Sequence, residues 1–509
     1  MALPLTFIDE LPYTSQAMPY THPQHLATIG QIFGMQAAQP RRILELACGD
    51  GSNILGIAQS MPKTECWAID KSETKIVQAQ KVADKAKLHN VTLKAMDILE
   101  VDSSLGQFDY IIVHGIYSWG SAEVKQKILQ LCKQLLSEKG IAYVSYDTTP
   151  AGDSRRIVRQ MLRYHSMGMK DSQQRLDQLH ALFKFLIAAN RETNTAYSLM
   201  LQEEYQIFQQ LPHPELYLDY IDADNEPVLF TEFMQRAHDQ ELDYLGDAFF
   251  KTMLPQNLSA DVQQNLAAFE QNILQQEQYM DFARNRRYRH TLLVHKDITL
   301  ERNLDVSLLK DFYLCCDFQV KQVEDAIHFV GTHGTVTTEN PAAQKVFTYL
   351  GQQYPRFVKV DELLENTGTQ SEAQTIFETL FSCCMQGVIE LHHESAPYTA
   401  EINEQPFASP LARAQAELGL TRVTNLRNEP VDISSNVICL HLLPYLDGQH
   451  NQSDLKRLIQ YGIDQKKYRL DVNRDGQQVE LSEEQKQDLF QRVLNNSLHL
   501  LAHAALILS

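Results

Sequence analysis

The segment Glu45-Leu-Ala-Cys-Gly-Asp-Gly-Ser-Asn53 sets an acidic residue ahead of a turn that holds two glycines. A turn of small residues between a strand and a helix lets a ligand pass close to the backbone, and Gly49 and Gly51 provide that clearance. A dinucleotide site would read Gly-x-Gly-x-x-Gly, with a pyrophosphate on the helix N-terminus. Glu45 suits a ligand with a cationic amino-acid end instead. Asp70 follows the turn by about 20 residues, the spacing at which a carboxylate can accept hydrogen bonds from ribose hydroxyls. Asp97 can bond an adenine amine while Ile98 packs on the ring, and His114 with Gly115 stands where the reacting centre would lie. Tyr20, Ala47 and Lys71 complete the cofactor-side candidates. The bland alternatives are helix caps for Asp70 and Asp97 and a structural histidine for His114.

Glu45 with its turn, Asp70, Asp97 and His114 stand at the ends of the first four of five apolar runs that alternate with helical stretches. The runs are Arg42 to Ala47, Glu65 to Asp70, Val91 to Asp97, Phe108 to His114 and Gly140 to Tyr146, with helices expected from about Ser52 and near Ser72. Such alternation implies a parallel sheet covered on both faces, an α/β, Rossmann-like arrangement. Four strand ends with suitable residues in order form a specific pattern. It reads as a class I site for S-adenosyl-L-methionine (SAM) and so for methyl transfer. From Arg155 to about Arg236 the chain turns to long helical stretches, and strand-like pieces return at Leu242 to Gly246 and Arg289 to His295. These pieces are expected to close the sheet, which makes the helices an insertion between strands five and six. The expected division is a SAM-binding core over 1–170, a helical insertion with the closing strands over 171–300, and winged-helix-like modules over 301–509. The modules are read from helix-helix-strand patterns at Lys345 to His392 and Val437 to Leu508. In the second, Leu446 to Ser453 reads as a turn and N-cap before a helix from Asp454 to Tyr461.

At 509 residues the chain exceeds a single core, and its 44% hydrophobic and 21% charged content is that of an ordinary globular protein. A mean hydropathy of -0.32 agrees. No uncharged apolar run approaches the ~20 residues that span a bilayer, and the start lacks the pattern of a secretory signal, so a cytoplasmic location is expected. The eight cysteines include two adjacent pairs and no Cys-x-x-Cys, which reads as buried thiols. A net charge of -19 argues against nucleic acid as a partner; it would attract a cationic or lysine-rich one, or it simply maintains solubility. His22 with His25, and His392 with His393, lack partners at ligand spacing, so no metal is expected.

The resemblance is closer than a superfamily. Tyr13-Thr-Ser15, Tyr20-Thr-His-Pro-Gln-His-Leu-Ala-Thr28 and Ile32-Phe-Gly34 resemble the start of bacterial methyltransferases that carry a methyltransferase regulatory domain, among them the rickettsial-type protein-lysine methyltransferases. Phe108 to Trp119, Tyr143-Val-Ser-Tyr146, Arg159 to His165, Asn225-Glu-Pro-Val228, Asp243-Tyr-Leu-Gly246, Phe282 to Leu293 and Leu446-Asp-Gly448 extend the likeness over nearly the whole chain. Two positions depart from it. Ala47 replaces the first glycine of the turn, and Asp147-Thr-Thr-Pro-Ala-Gly-Asp153 lacks the family's aromatic residues where acceptor contacts are expected. The resemblance implies SAM as cofactor and transfer to lysine side chains of a protein, lysine-rich or at a surface, and it leaves a homodimer open. An apolar, aromatic channel would favour the neutral amine. Tyr117, Trp119 and Tyr146 are the candidate catalytic lining, with Tyr13, Tyr20 and His22 on an N-terminal lid. The fourth strand ends without Asn/Asp-Pro-Pro-Tyr, which disfavours adenine and glutamine acceptors. A methyltransferase of a small molecule or cell-surface precursor, and a SAM-binding regulator without catalysis, are the rival readings.

Overall fold

The computed structural model describes residues 15–169, 171–211, 216, 220, 225–269, 271–323, 326–395, 398, 401–469, 473–474, 477–478 and 482–508. Tyr13 lies outside them. The apolar runs form a seven-stranded sheet in the order β3-β2-β1-β4-β5-β7-β6. Its strands are β1 (Arg42–Leu46), β2 (Glu65–Asp70), β3 (Val91–Ala95), β4 (Phe108–Val113), β5 (Leu136–Asp147), β6 (Leu242–Asp247) and β7 (Tyr288–His295). The first five run parallel, and β7 inserts antiparallel between β5 and β6. The central strands are apolar on both faces because helices cover both sides: Ile43, Leu44, Ile111, Ile112, Ala142 and Val144 are all buried.

The covering helices are α1 (Pro23–Ile32), α2 (Ser52–Ser60), α3 (Glu73–Ala86) and α4 (Ala122–Leu135), followed after β5 by α5 (Ala151–Ser166), α6 (Ser172–Ala189) and α7 (Ala196–Gln210). Ser72 and Ser121 accept from the backbone three residues ahead, the N-cap bond that starts α3 and α4. α5 to α7 stand between β5 and β6 in the chain, and their apolar faces enclose a separate small core of Val158, Leu162, Leu179, Phe183, Leu201 and Phe208. α8 (Phe230–His238) then leads into β6.

Beyond β7 the chain is mostly helical. A middle module packs helices Pro341–Gln353, Val360–Thr367 and Ala373–Met385 around Phe329, Phe347, Leu363 and Leu380, and ends in strand Glu390–His392. The C-terminal module starts earlier than Val437. Helix Pro410–Glu417 and the hairpin Arg422–Thr424/Pro430–Asp432 share one core with helices Gln452–Asp464 and Glu483–His503. The helix expected from Asp454 begins at Gln452. Asn451, not Ser453, caps it, and the Asp454 carboxylate returns a bond to the Asn451 N–H at 3.2 Å. Leu411 and Ala414 belong to the core of the methyltransferase sheet, so the C-terminal module is joined to it. All eight cysteines are buried and unbridged. Among the described residues no helix is long and apolar enough to cross a membrane.

Candidate active site

The turn after β1 is held open by left-handed backbone at Ala47, Gly49 and Gly51 (φ 58°, 59° and 74°). Gly51 is required twice over, since a Cβ there would come within 3.0 Å of Ala79 on α3. Ala47 adopts the same conformation with a side chain, at a steric cost. The Gly49 N–H donates to Asp70 Oδ2 at 2.8 Å, and the Ser72 N–H donates to Oδ1 at 2.9 Å. Each Asp70 oxygen keeps a further lone pair. Asp97 Oδ1 accepts from Leu99 N–H at 2.9 Å and is exposed, with Ile98 half-buried after it. Both carboxylates therefore bond the backbone two residues on and still stand at the strand ends. Lys71 is exposed.

Glu45 is only 4% exposed. Its Oε1 accepts from Asn53 Nδ2 at 2.9 Å, and its Oε2 has no partner in the protein. Burial, only partly offset by the Asn53 bond and the Ile54 backbone N–H and reinforced by Asp50 and Asp70, pushes this carboxyl up to about 8. A buried carboxylate oxygen without a partner, beside a turn open to the backbone, fits the cationic end of SAM.

The ends of β4, β5 and β7 build an aromatic enclosure. The register pairs Ser145 with His290 and Tyr143 with Leu292. His114 Nδ1 lies 2.9 Å from the Tyr143 hydroxyl and 3.2 Å from Ser145 Oγ, which also receives the Gly115 N–H and meets Tyr288 OH at 3.1 Å. The Tyr20 ring closes the group, its centroid 4.8 Å from Phe249 and 5.1 Å from His290. Burial pushes His114 down to about 3 and His290 down to about 4, so both rings are neutral, and it raises Tyr20 to about 12. His290 Nδ1 is buried without a partner. A cavity of about 300 Å³ adjoins Tyr20 and Phe249 and reaches Leu391 of the middle module and Arg427 of the hairpin.

Several residues expected in the acceptor lining lie elsewhere. Side chains alternate along a strand, so Tyr146 points to the face opposite Tyr143 and Ser145. It stacks on Phe233 of α8 at 4.2 Å and meets Thr291 Oγ1 through its hydroxyl. Tyr117 is buried against the same Phe233. Trp119 lies under the Arg159 guanidinium, 4.5 Å from the ring centroid. His22 caps α1, with its Nε2 2.8 Å from Ser60 Oγ, and does not join the enclosure. The loop 147–153 packs onto 225–228: Asp147 accepts from Asn225 Nδ2, and Thr148 Oγ1 donates to Val228 O at 2.8 Å. Among the described residues no cluster of His, Cys, Asp and Glu is placed to hold a metal.

Residues 39–205 match the model of a methyltransferase domain, 214–295 that of a predicted methyltransferase regulatory domain, and 404–506 that of the PKMT C-terminal winged helix domain. The uncharacterized protein RP028 of Rickettsia prowazekii is 36% identical over 231 residues, which are 92% of its length and 45% of this chain. The chain belongs to this bacterial methyltransferase family. A second uncharacterized protein of that organism, RP789, is 29% identical over 94% of this chain and 90% of its own length. PKMT2 from Rickettsia typhi, solved in complex with AdoHcy, superposes with a TM-score of 0.88 at 29% identity, covering 98% of this chain and all of that one. The family's chemistry is SAM-dependent methyl transfer, and this chain is a SAM-dependent methyltransferase.

Reading the sequence missed Tyr143, Ser145, Phe249, Tyr288 and His290 as members of the enclosure, and Asn53 as the partner of Glu45. Period-two alternation from Tyr143 would have flagged Ser145 and not Tyr146. The place of Phe249, just past β6, has no comparable local signal.

Proposed function

We propose that this methyltransferase acts on lysine side chains of a protein substrate. The observation that carries the reading is the likeness to PKMT2 over nearly the whole of both chains, modules included. The enclosure supports it. Bound SAM supplies an electrophilic methyl group. The lysine amine must reach it neutral, and a pocket of aromatic rings with two uncharged imidazoles disfavours the ammonium form. His290 Nδ1, the one enclosure atom in the described structure that is buried without a partner, is placed to hold the amine by a hydrogen bond. Tyr20, on the chain segment before α1, covers the enclosure and excludes water. The ring faces of Tyr20, Phe249 and Tyr288 also tolerate the cationic methylated product. The cofactor residues are Glu45, the 47–51 turn, Asp70, Asp97 and Ile98. The cavity beyond Phe249 gives an acceptor polypeptide a path between the modules. We assign the activity to the cytoplasm.

The test is transfer of radiolabelled methyl from SAM into a bacterial lysate, with and without prior protease, followed by mass spectrometry. Nε-methyl-lysine in a protease-sensitive band is the expected product. Label confined to the small-molecule fraction would overturn the lysine reading and favour a small-molecule acceptor.

A further inference from the structure

The C-terminal hairpin ends in the tight turn Asn425-Leu-Arg-Asn-Glu429, whose Asn425 Oδ1 accepts from the N–H groups of Arg427 and Glu429 at 2.9 and 2.8 Å. Two adjacent residues at its tip leave in different directions. Arg427 pairs with Glu390 of the middle module and with Glu429. Asn428 enters the methyltransferase domain, where it is completely buried. Its Nδ2 donates to Asn53 Oδ1 at 2.9 Å and to Met18 O at 3.2 Å. The fit against α2 is close enough that a Cβ on Gly56 would collide with Asn428 Oδ1.

Asn53 Oδ1 is thus fixed by two donors, Asn428 Nδ2 and the Met18 N–H at 2.9 Å, with the Thr21 hydroxyl 3.1 Å away sharing its single proton with the nearer Met18 O at 2.8 Å. With its oxygen fixed, the Asn53 amide has one orientation, and its Nδ2 is committed to Glu45 Oε1. The chain of bonds runs from the C-terminal module through α2 to the carboxylate whose other oxygen is free. The residue type is also dictated locally. Asn428 sits at φ 58°, a conformation that Asn and Gly tolerate and most residues do not. Gly would satisfy the backbone, and only Asn adds the two donors. We infer that Asn428 is a positioning residue of the cofactor site, so that the C-terminal module completes the surface on which the cationic end of the cofactor rests. This inference rests on the reading of Glu45 as that contact.

The test is AdoHcy binding by calorimetry to the full chain between about pH 6 and pH 8.5, comparing wild type with Asn428→Gly, which keeps the backbone conformation, and Asn428→Asp, which keeps the shape but loses the donors. The groups facing Glu45 are Asp50, Asp70 and the thiols of Cys48 and Cys66. None of them changes in these variants, and Asn428→Gly, which unlike Asn428→Asp adds no titratable group, carries the comparison of pH profiles. Both variants are expected to bind roughly tenfold more weakly near neutrality, the weight of one buried hydrogen bond. The pH at which affinity levels off should move upward, because a loosened Asn53 no longer favours the carboxylate. In an Asn53→Ala background the Asn428→Gly change should add nothing. Ser409→Ala removes a different contact of the same module, the 2.7 Å bond to Gln59. It should lower the melting temperature and leave affinity and pH profile unchanged. Asn428 variants that lose melting temperature but bind AdoHcy with wild-type affinity and pH dependence would overturn the inference. Failure of the wild type itself to bind AdoHcy would count against the cofactor site rather than against Asn428.

Discussion

Glu45→Gln separates a cofactor contact from an ordinary buried acid. In the folded protein the Glu45 carboxyl rises from the usual 4.5 to about 8. In the unfolded chain it ionises normally. Between about pH 6 and pH 8 the unfolded state has already lost this proton while the folded state still holds most of it. Stability must therefore fall as pH rises, by ~1.4 kcal/mol per pH unit per proton, or about 2.5 kcal/mol over that interval. Below the unfolded value the contribution is fully present, and it disappears as pH passes the folded one. Glutamine keeps the shape and the acceptor for Asn53 but cannot titrate. Its own amide inherits the unpartnered position of Oε2, which lowers stability equally at every pH. The slope is therefore the diagnostic quantity, not the level. Urea unfolding at half-unit pH steps should show the wild type losing about 2.5 kcal/mol more than the variant. Glu204 and Glu277 are raised by burial too, yet they are common to both proteins and cancel. Saturating AdoHcy should flatten the wild-type slope by holding Glu45 ionised, and it should do nothing for the variant. Parallel pH–stability lines for the two proteins, or a Glu45→Gln variant that binds AdoHcy as tightly as wild type, would refute the reasoning.

Ala47→Gly should stabilise the apoprotein by ~0.5–1 kcal/mol in urea unfolding, since relief of a left-handed alanine outweighs the extra freedom glycine gains when unfolded. Arg427→Met should cost on the order of 3 kcal/mol by taking the guanidinium from Glu390 and leaving it only the imidazoles of His333 and His392, whereas Glu429→Gln, at a half-buried carboxylate, should cost about 1 kcal/mol. Tyr20→Ala should cut methyl transfer at least ~10-fold, chiefly through kcat, with AdoHcy affinity changed far less. Tyr146→Phe should do the reverse, costing about 1–2 kcal/mol of stability through the lost bond to Thr291 while the KM for the acceptor stays the same.

The parts of this molecule that a linear reading captures are those whose physics is local. Apolar runs of five or six residues punctuated by Gly, Ser and Asp specify β1 to β5 and the caps of the helices between them, because each element closes its hydrogen bonds within a few residues. The ends of those strands carry Glu45, Asp70, Asp97 and His114, so half the candidate site comes from the order of the elements. The acceptor side does not. Tyr143 and Tyr146 look equivalent as letters, and only the pleat sends one to the enclosure and the other to Phe233. His290 reaches the site because β7 inserts antiparallel beside β5 with Ser145 opposite it. That register depends on a strand about 145 residues away, and the interactions that fix it are long-range.

Asn428 and Asn53 show the same limit at its extreme. No propensity or spacing links two asparagines 375 positions apart. Yet once folded they share one hydrogen bond in a place where neither has water as an alternative, and a lost partner there costs more than the bond itself contributes. The hairpin tip also ties Arg427 to Glu390 across the middle module. A displacement of that tip cannot relax one contact without straining the other, since both side chains leave from adjacent residues of a turn already pinned by Asn425. The tip is therefore the point where a change in the C-terminal modules, such as engagement of an acceptor polypeptide in the cavity beside Tyr20, would be felt at Glu45. Deleting the modules should accordingly cost cofactor affinity as well as stability.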